Sequence, residues 1–410
     1  MKQTLLTISL LAVLSLSSLH GDDWPAFRGI HRDGKSAEKG LLTQWPEKGP
    51  ALLWKATGFG SAMAGPAIKG DRMFCMGQTD DGQFTYCHSL KDGKQLWSRK
   101  NGAIYKNGMG DGPRCTPTLD GELLYVLGAN GDLQCLNQEN GEELWKLNIL
   151  EEFGGENIVW GISESPLVID NKVIVMPGGT GGTLVALDKS NGRVIWRSRD
   201  PNHNGAEQAG YASAQVITVG NMQQVVTFTS KGAVGVQLND GKFLWRFDKM
   251  ANSTANCSMP VFFIGKILYS SDYGTGCALI DLKPDGSAEE VYFNKNFKNH
   301  HGGYVLVDEH VYGFDSNVLV CMEWKTGKIL WKDRSVGKGS VTYADGMLYV
   351  LSENGTMGLV KAVPTGYQEV SRFKMQELSG KPTWVYPVVA AGKLYLRDQD
   401  KIWCFDVKAK

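Results

Sequence analysis

The stretch Ala186-Leu187-Asp188-Lys189-Ser190-Asn191-Gly192-Arg193-Val194-Ile195-Trp196 decides how the chain is read. A small residue opens it, a glycine follows six positions later, and a tryptophan ten positions later. The same spacing returns as Cys87/Gly93/Trp97, Cys135/Gly141/Trp145, Gly235/Gly241/Trp245 and Cys321/Gly327/Trp331. The pattern reads as a strand, a glycine-containing turn and a second strand carrying the tryptophan. A small side chain leaves room for an indole to lie against the backbone. The tryptophan is therefore expected to fasten one repeat to the next.

Ahead of each copy lies a hairpin signal, two apolar strands around a short polar turn. The turns fall at Gly70-Asp71, Asp120-Gly121, Asp170-Asn171, Gly220-Asn221, Gly265-Lys266, Asp308-Glu309, Asp345-Gly346 and Ala391-Gly392. Gly, Asn and Asp tolerate the positive φ that tight hairpins need. Eight hairpins at intervals of 37 to 50 residues define eight units. Two units lack the tryptophan and end near Tyr292 and Phe373; the last stops after Trp403-Cys404-Phe405-Asp406 without a fourth strand. Leu52-Leu53-Trp54-Lys55 precedes the first hairpin and can supply it. A four-stranded unit repeated about every 45 residues is the signature of a β-propeller. The expectation is an all-β, eight-bladed propeller of antiparallel blades over residues 51–410, its last blade closed by the N-terminal strand so that no sheet edge is left at the seam. Trp54, Trp97, Trp145, Trp196, Trp245 and Trp331 are the expected docking residues.

Composition fits. The 410 residues carry 43 Lys+Arg against 43 Asp+Glu, so the formal net charge is zero. That balance removes the electrostatic attraction on which nucleic-acid and anionic-membrane binders rely. Fifty glycines and twelve tryptophans beside fourteen prolines suit many short strands and tight turns. Met1-Lys2, the apolar run from Thr4 to Leu16 and the small residues Ser17, Ser18 and Gly21 read as a secretory signal over residues 1–21, followed by a leader over 22–50. No other segment approaches a membrane span, and no cysteine precedes Cys75, so no lipid anchor is expected. The chain is expected to be exported, periplasmic or secreted, and monomeric.

On its tryptophan motif the sequence resembles the quinoprotein-type propeller family. The leader Trp24-Pro25-Ala26-Phe27-Arg28-Gly29 and the phrase Ser163-Glu164-Ser165-Pro166-Leu167-Val168 are similar to exported bacterial propellers with quinone-like repeats. The resemblance implies two branches: dehydrogenases that use pyrroloquinoline quinone with Ca²⁺, and non-catalytic BamB-like proteins that help assemble outer-membrane β-barrels. The dehydrogenases stack the quinone on two adjacent, disulfide-linked cysteines; no Cys-Cys pair occurs here, and no Cys-x-x-Cys-His haem site. The non-catalytic branch is therefore favoured and no cofactor is expected, with the quinone-dependent alcohol dehydrogenase kept as the alternative. Trp and Tyr in the loops leave a carbohydrate-binding module as a third reading.

Binding groups concentrate on loops held by a rigid scaffold. The loops joining one blade to the next, at 101–114, 151–161, 200–211, 251–256 and 298–303, are rich in Gly, Asn, His and aromatics. The candidate channel-mouth residues are Arg114, Trp160, Glu164, Tyr211, Asn256, His300 and His301; no catalytic residue and no metal ligand is assigned. Neighbours in a strand point apart, so His300 and His301 share a metal only if the loop bends. Cys87, Cys135 and Cys321 occupy the small-residue slot, which argues for packing and not bridging, while a Cys75–Cys87 disulfide is left open. No zinc, phosphate-loop, calcium-loop or nucleophile-elbow motif is present. A protein or extended peptide, gripped at the channel face or added to a blade edge, is the expected partner.

Overall fold

The computed structural model describes residues 23–202 and 207–410; the expected signal over 1–21 lies outside them. Eight four-stranded antiparallel sheets form the ring. Seven are continuous in sequence, over residues 67–102, 118–148, 167–198, 215–247, 261–294, 304–333 and 339–374. The eighth joins strands Val388–Ala390, Lys393–Asp398 and Lys401–Asp406 to the N-terminal strand Ala51–Thr57. Ala51 faces Asp406 and Thr57 faces Lys401, so the two ends of the chain close the ring through backbone hydrogen bonds. The hairpin turns adopt the positive φ their residues allow, as at Gly70 (58°), Asp170 (52°) and Ala391 (53°). Additions to this plan are a short helix, Ile149–Phe153, capped by Asn148 and Gly154, and a two-stranded ladder of Gly178–Gly179 with Glu207–Gln208. The helix occupies the start of a connection read as an open loop and carries Glu151 and Glu152 in its first turn, both exposed. No helix among the described residues is long and apolar enough to cross a membrane.

The small residue and the tryptophan of each motif are direct cross-strand partners: Cys87 with Trp97, Cys135 with Trp145, Ala186 with Trp196, Gly235 with Trp245, Cys321 with Trp331, and Cys404 with Trp54 across the seam. The register then slips by one, leaving the residue before each tryptophan as a bulge. A bulge re-aims the side chains beside it. Here it turns the indole inward and leaves an aliphatic neighbour, such as Leu53, Leu96, Leu144, Ile195 or Leu330, on the outer rim in solvent.

Each inward indole meets the next blade. Trp196 Nε1 donates to Leu238 O at 2.9 Å, and the ring lies where a Cβ on Gly241 would come within 2.6 Å. Trp54 reaches Leu90 O over Gly93, Trp97 reaches Gln138 O over Gly141, and Trp145 reaches Lys189 O over Gly192. Trp331 donates to Val363 O at 2.9 Å. Tyr292 substitutes in its blade, its hydroxyl bonding Trp324 O at 3.0 Å beside Gly327. Trp245 departs from the pattern: its Nε1 donates to Gln224 Oε1 within its own blade. In the seventh blade Ser371 stands where the tryptophan would be, opposite Leu359. The leader fills that gap. Trp45 packs on Tyr349 (5.7 Å) and Phe373 (5.4 Å), and Gly49 lies against the Phe373 ring.

All eight cysteines are free thiols. Cys75 pairs with Tyr86, and Cys87 with Phe74, so the two thiols point to opposite faces of their sheet and cannot bridge.

Candidate functional site

The leader enters the central channel and stops it. Trp24 forms an antiparallel bridge with Ile68 on the innermost strand of the first blade, and Pro25 O accepts from Leu119 N in the second. Arg32 donates to Ser165 O (2.7 Å) and Pro166 O (3.0 Å) before the third blade. Arg28, in a left-handed conformation (φ 64°), reaches Tyr304 O in the sixth. Lys35 bridges to Tyr343 in the seventh. One segment thus ties together the first, second, third, sixth and seventh blades, and its Trp24, Phe27 and Arg28 form the floor of a cavity of about 250 Å³ that opens at the other face.

The cavity has two unlike walls. On one side Trp160 and Tyr211 pack together (5.6 Å between rings) beside Met109 and Arg114. Arg114 donates to Gly110 O and Gly112 O and stacks on Tyr105 at 4.6 Å, which fixes the loop at 101–114. On the other side a hydrogen-bonded chain crosses three loops. Tyr273 Oη lies 2.9 Å from His300 Nε2, His300 Nδ1 lies 2.9 Å from His301 Nδ1, and His301 Nε2 lies 3.2 Å from Glu353 Oε1. Lys338 and Trp384 both reach the same Glu353 oxygen, at 3.2 and 3.0 Å.

Electrostatics fix the protonation of this chain. Burial, with the neighbouring His301 and Lys338, drives the His300 pKa down to about 3, and burial lowers that of His301. Burial opposes the Glu353 charge, but the His301 hydrogen bond and the Lys338 ammonium outweigh it and hold the carboxyl at about 2. Both rings are thus neutral and Glu353 is ionised at neutral pH, with Lys338 as its counter-charge. The hydrogens then run one way: Tyr273 O–H to His300, His300 Nδ1–H to His301, His301 Nε2–H to Glu353. Gly302 and Gly303 let the loop turn here, and the two imidazoles bond to each other instead of sharing an ion.

Five of the seven expected residues line the cavity: Arg114, Trp160, Tyr211, His300 and His301. Two do not. Asn256 is buried in its loop, donating to Thr229 O and Ser230 O and accepting from Asn252 N, so it satisfies backbone. Glu164 is buried below the cavity and accepts from Met176 N. Burial pushes its carboxyl up to about 8, against the Met176 amide and the Arg32 charge. Sequence reading missed Tyr273, Glu353, Lys338 and Trp384. The first two sit in turns within a blade, where no motif marks them; Lys338 and Trp384 lie in two of the three inter-blade connections that were not singled out, although the latter resembles the other aromatic-rich loops.

A quinone with its cation needs oxygen ligands beside a flat slot. Among the described residues no group of three or more His, Cys, Asp or Glu could hold a metal ion. Glu353 is already committed to His301, Lys338 and Trp384. The residues present do not fit that group.

Fold and site together define a β-propeller of the quinoprotein type whose channel is blind at one end. The family model described as outer membrane protein assembly factor BamB matches residues 35–159 and 86–332, well over half of the chain, and the chain belongs to that family. The outer membrane protein assembly factor BamB of Shewanella oneidensis is 25% identical over 284 residues, 63% of this chain and 65% of that protein. The tetrathionate hydrolase of Acidithiobacillus ferrooxidans is 21% identical over 369 residues, 84% of this chain and 64% of that protein. The matches thus span less than two thirds of the length of these curated relatives. Among solved structures, BamB from Moraxella catarrhalis has a TM-score of 0.61 at 14% identity, covering 88% of this chain and 98% of that one. A europium-containing methanol dehydrogenase has a TM-score of 0.70 at 12% identity, covering 92% and 89%. At such identities the structures share the fold alone.

Proposed function

We propose that this chain is an exported, non-catalytic propeller that presents its channel mouth to a protein partner, as a scaffold in envelope assembly. The observation that carries this reading is the blind, aromatic-walled cup whose two imidazoles are already spent on Tyr273, on each other and on Glu353. Tyr273, His300, His301, Glu353 and Lys338 form a closed hydrogen-bonded set, which positions a wall more readily than it performs a reaction. Membership of a family described as an assembly factor supports a protein as the ligand. Export rests on the signal-like residues 1–21.

A photo-crosslinking residue placed at Trp160, at Leu96 on the outer rim, or at His31 on the opposite face tests the assignment in living cells. Discrete protein adducts are expected from position 160 and at least about tenfold fewer from 96 and 31. Adducts confined to position 96 would move the contact to a blade edge and overturn the channel-mouth reading. The quinone alternative is checked on the purified protein: a rise in melting temperature on adding pyrroloquinoline quinone and Ca²⁺ would restore it, because a ligand that binds only the folded state stabilises it.

A further inference from the structure

We infer that the fourth blade, at its seam with the fifth, carries a binding site for a neutral polyhydroxylated ligand, a stretch of glycan. The site is separate from the channel mouth, and the inference does not depend on what the mouth binds. Three observations converge on it.

The first is an extended hairpin. The second-strand residue that pairs with the small residue of the docking motif gives every blade a common origin, Phe74 in the first and Val226 in the fourth. From Ala67↔Phe74 the first hairpin closes after two further pairs, Ile68↔Met73 and Lys69↔Arg72. Six other blades repeat that count. The fourth runs on for four pairs, from Val216↔Val225 to Val219↔Met222. Two extra pairs lengthen this hairpin by roughly 7 Å, at ~3.4 Å per residue. Its tip leans on the next blade, where a Cβ on Gly220 would come within 3.2 Å of Pro284.

The second is the lining of the groove beside that tip. A cavity of about 420 Å³ is bounded by Asn221, Met222 and Gln223 of the hairpin, Gln237 and Asn239 of the neighbouring turn, and Pro284 of the fifth blade. That volume is within the ~300–1,000 Å³ of small-ligand sites. No ionisable side chain lines it. Lys283, next to Pro284, is already held by Asp281 at 2.6 Å and Glu289 at 3.3 Å. Among the described residues none of the four carboxamide side chains has a hydrogen-bond partner. Each carboxamide offers two donors and an acceptor side by side. That is the complement of neighbouring hydroxyls on a sugar ring, while Met222 and Pro284 supply apolar atoms for its C–H face. An anion would need a cation here, and a metal ion a carboxylate.

The third is the contrast with other blades. The bond from Leu238 N to Gln223 O corresponds to those from Leu90 N to Asp71 O, Gln138 N to Glu122 O and Trp324 N to Glu309 O. In the first, second and sixth blades the Gln223 position is therefore acidic, and the Asn239 position is Lys91, Glu139 or Lys325. Charges at these positions tie the structure together: Glu139 pairs with Arg72 at 2.5 Å and Lys325 with Glu309 at 3.1 Å. In the fourth blade uncharged amides stand there instead and stay exposed, free for an outside partner.

The test uses the intact protein with four probes: the tetrasaccharides chitotetraose, cellotetraose and maltotetraose, and a capped tetra-alanine peptide. Saturation-transfer NMR and titration calorimetry should show binding of at least one tetrasaccharide at millimolar concentration and none of the peptide. Gln223→Ala with Asn239→Ala should weaken that binding at least tenfold, because a hydroxyl ligand depends on the groups that bond it, and should leave the melting temperature unchanged. A diazirine-bearing form of the bound sugar should label residues 221–223 or 237–239 of the unaltered protein, which locates the site without any variant. Failure of all three sugars to bind overturns the inference. Peptide binding as tight as that of the sugar assigns the amides to a polypeptide backbone and overturns the glycan. Sugar binding that the double variant leaves unchanged, or labelling confined to the channel mouth, overturns the site.

Discussion

Replacing Trp196 with alanine is expected to cost about 3–5 kcal/mol of stability, the range for truncating a buried large aromatic. The side chain is 6% exposed, packs in a core cluster that spans neighbouring blades, and carries the hydrogen bond to Leu238 O. Its removal leaves a void against Gly241, whose left-handed backbone (φ 73°) cannot readily move in to fill it. Urea unfolding followed by intrinsic fluorescence measures the loss. Trp245→Ala is the internal comparison. That indole is equally buried but bonds Gln224 in its own blade, so its truncation removes packing without removing a backbone contact between blades. A loss below about 1 kcal/mol for Trp196→Ala would show that the indoles do not hold the ring together.

A larger effect is expected from a chain that begins after Thr57. It keeps three strands of the eighth blade and loses the fourth, so Lys401–Asp406 becomes an open edge. It also loses Trp54 over Gly93, Trp45 on Tyr349, Gly49 against Phe373, and the segment that plugs the channel. The contacts of the last blade with the seventh and with the first are both weakened, leaving Phe405 on Phe373 and Arg397 on Ala64 O and Met76 O. An unpaired strand edge with apolar faces invites association with other chains. The shortened chain is expected to lack a cooperative thermal transition by near-ultraviolet circular dichroism and to scatter light on concentration. A cooperative melt close to that of the full chain would mean that the ring closes by other contacts.

The fold was legible because it is periodic. Hairpin turns and small-residue/Gly/Trp spacings depend on local geometry, and each repeats often enough to be recognised without a partner strand. The closing strand was legible for the same reason, since Leu52-Leu53-Trp54-Lys55 supplies the one motif fragment missing at the other end. Where a blade departs from the period, the reading weakened. Ser371 broke the pattern, and nothing local says that Trp45 replaces the absent indole, because that contact spans more than three hundred residues.

The site was legible only in part, and the reason is similar. Arg114, Trp160, Tyr211, His300 and His301 stood on long loops with conspicuous composition. Tyr273 and Glu353 occupy short turns that look like any other turn until the ring brings them together. The leader's role was invisible. Arg28 meets Tyr304 across 276 residues, and no spacing rule connects them. Glu164 and Asn256 misled because a polar residue in a loop looks alike whether it faces the channel or satisfies its own backbone.

The central claim is that the front of the chain both closes the ring and floors the channel. Amide hydrogen exchange read by mass spectrometry tests it directly on the unliganded protein. Peptides covering residues 24–36 and 51–57 should exchange as slowly, within about an order of magnitude, as those covering Lys401–Asp406, because all three are held in the same cooperative ring. Exchange of either front segment at the rate of an unstructured chain, while the blades stay protected, would contradict it.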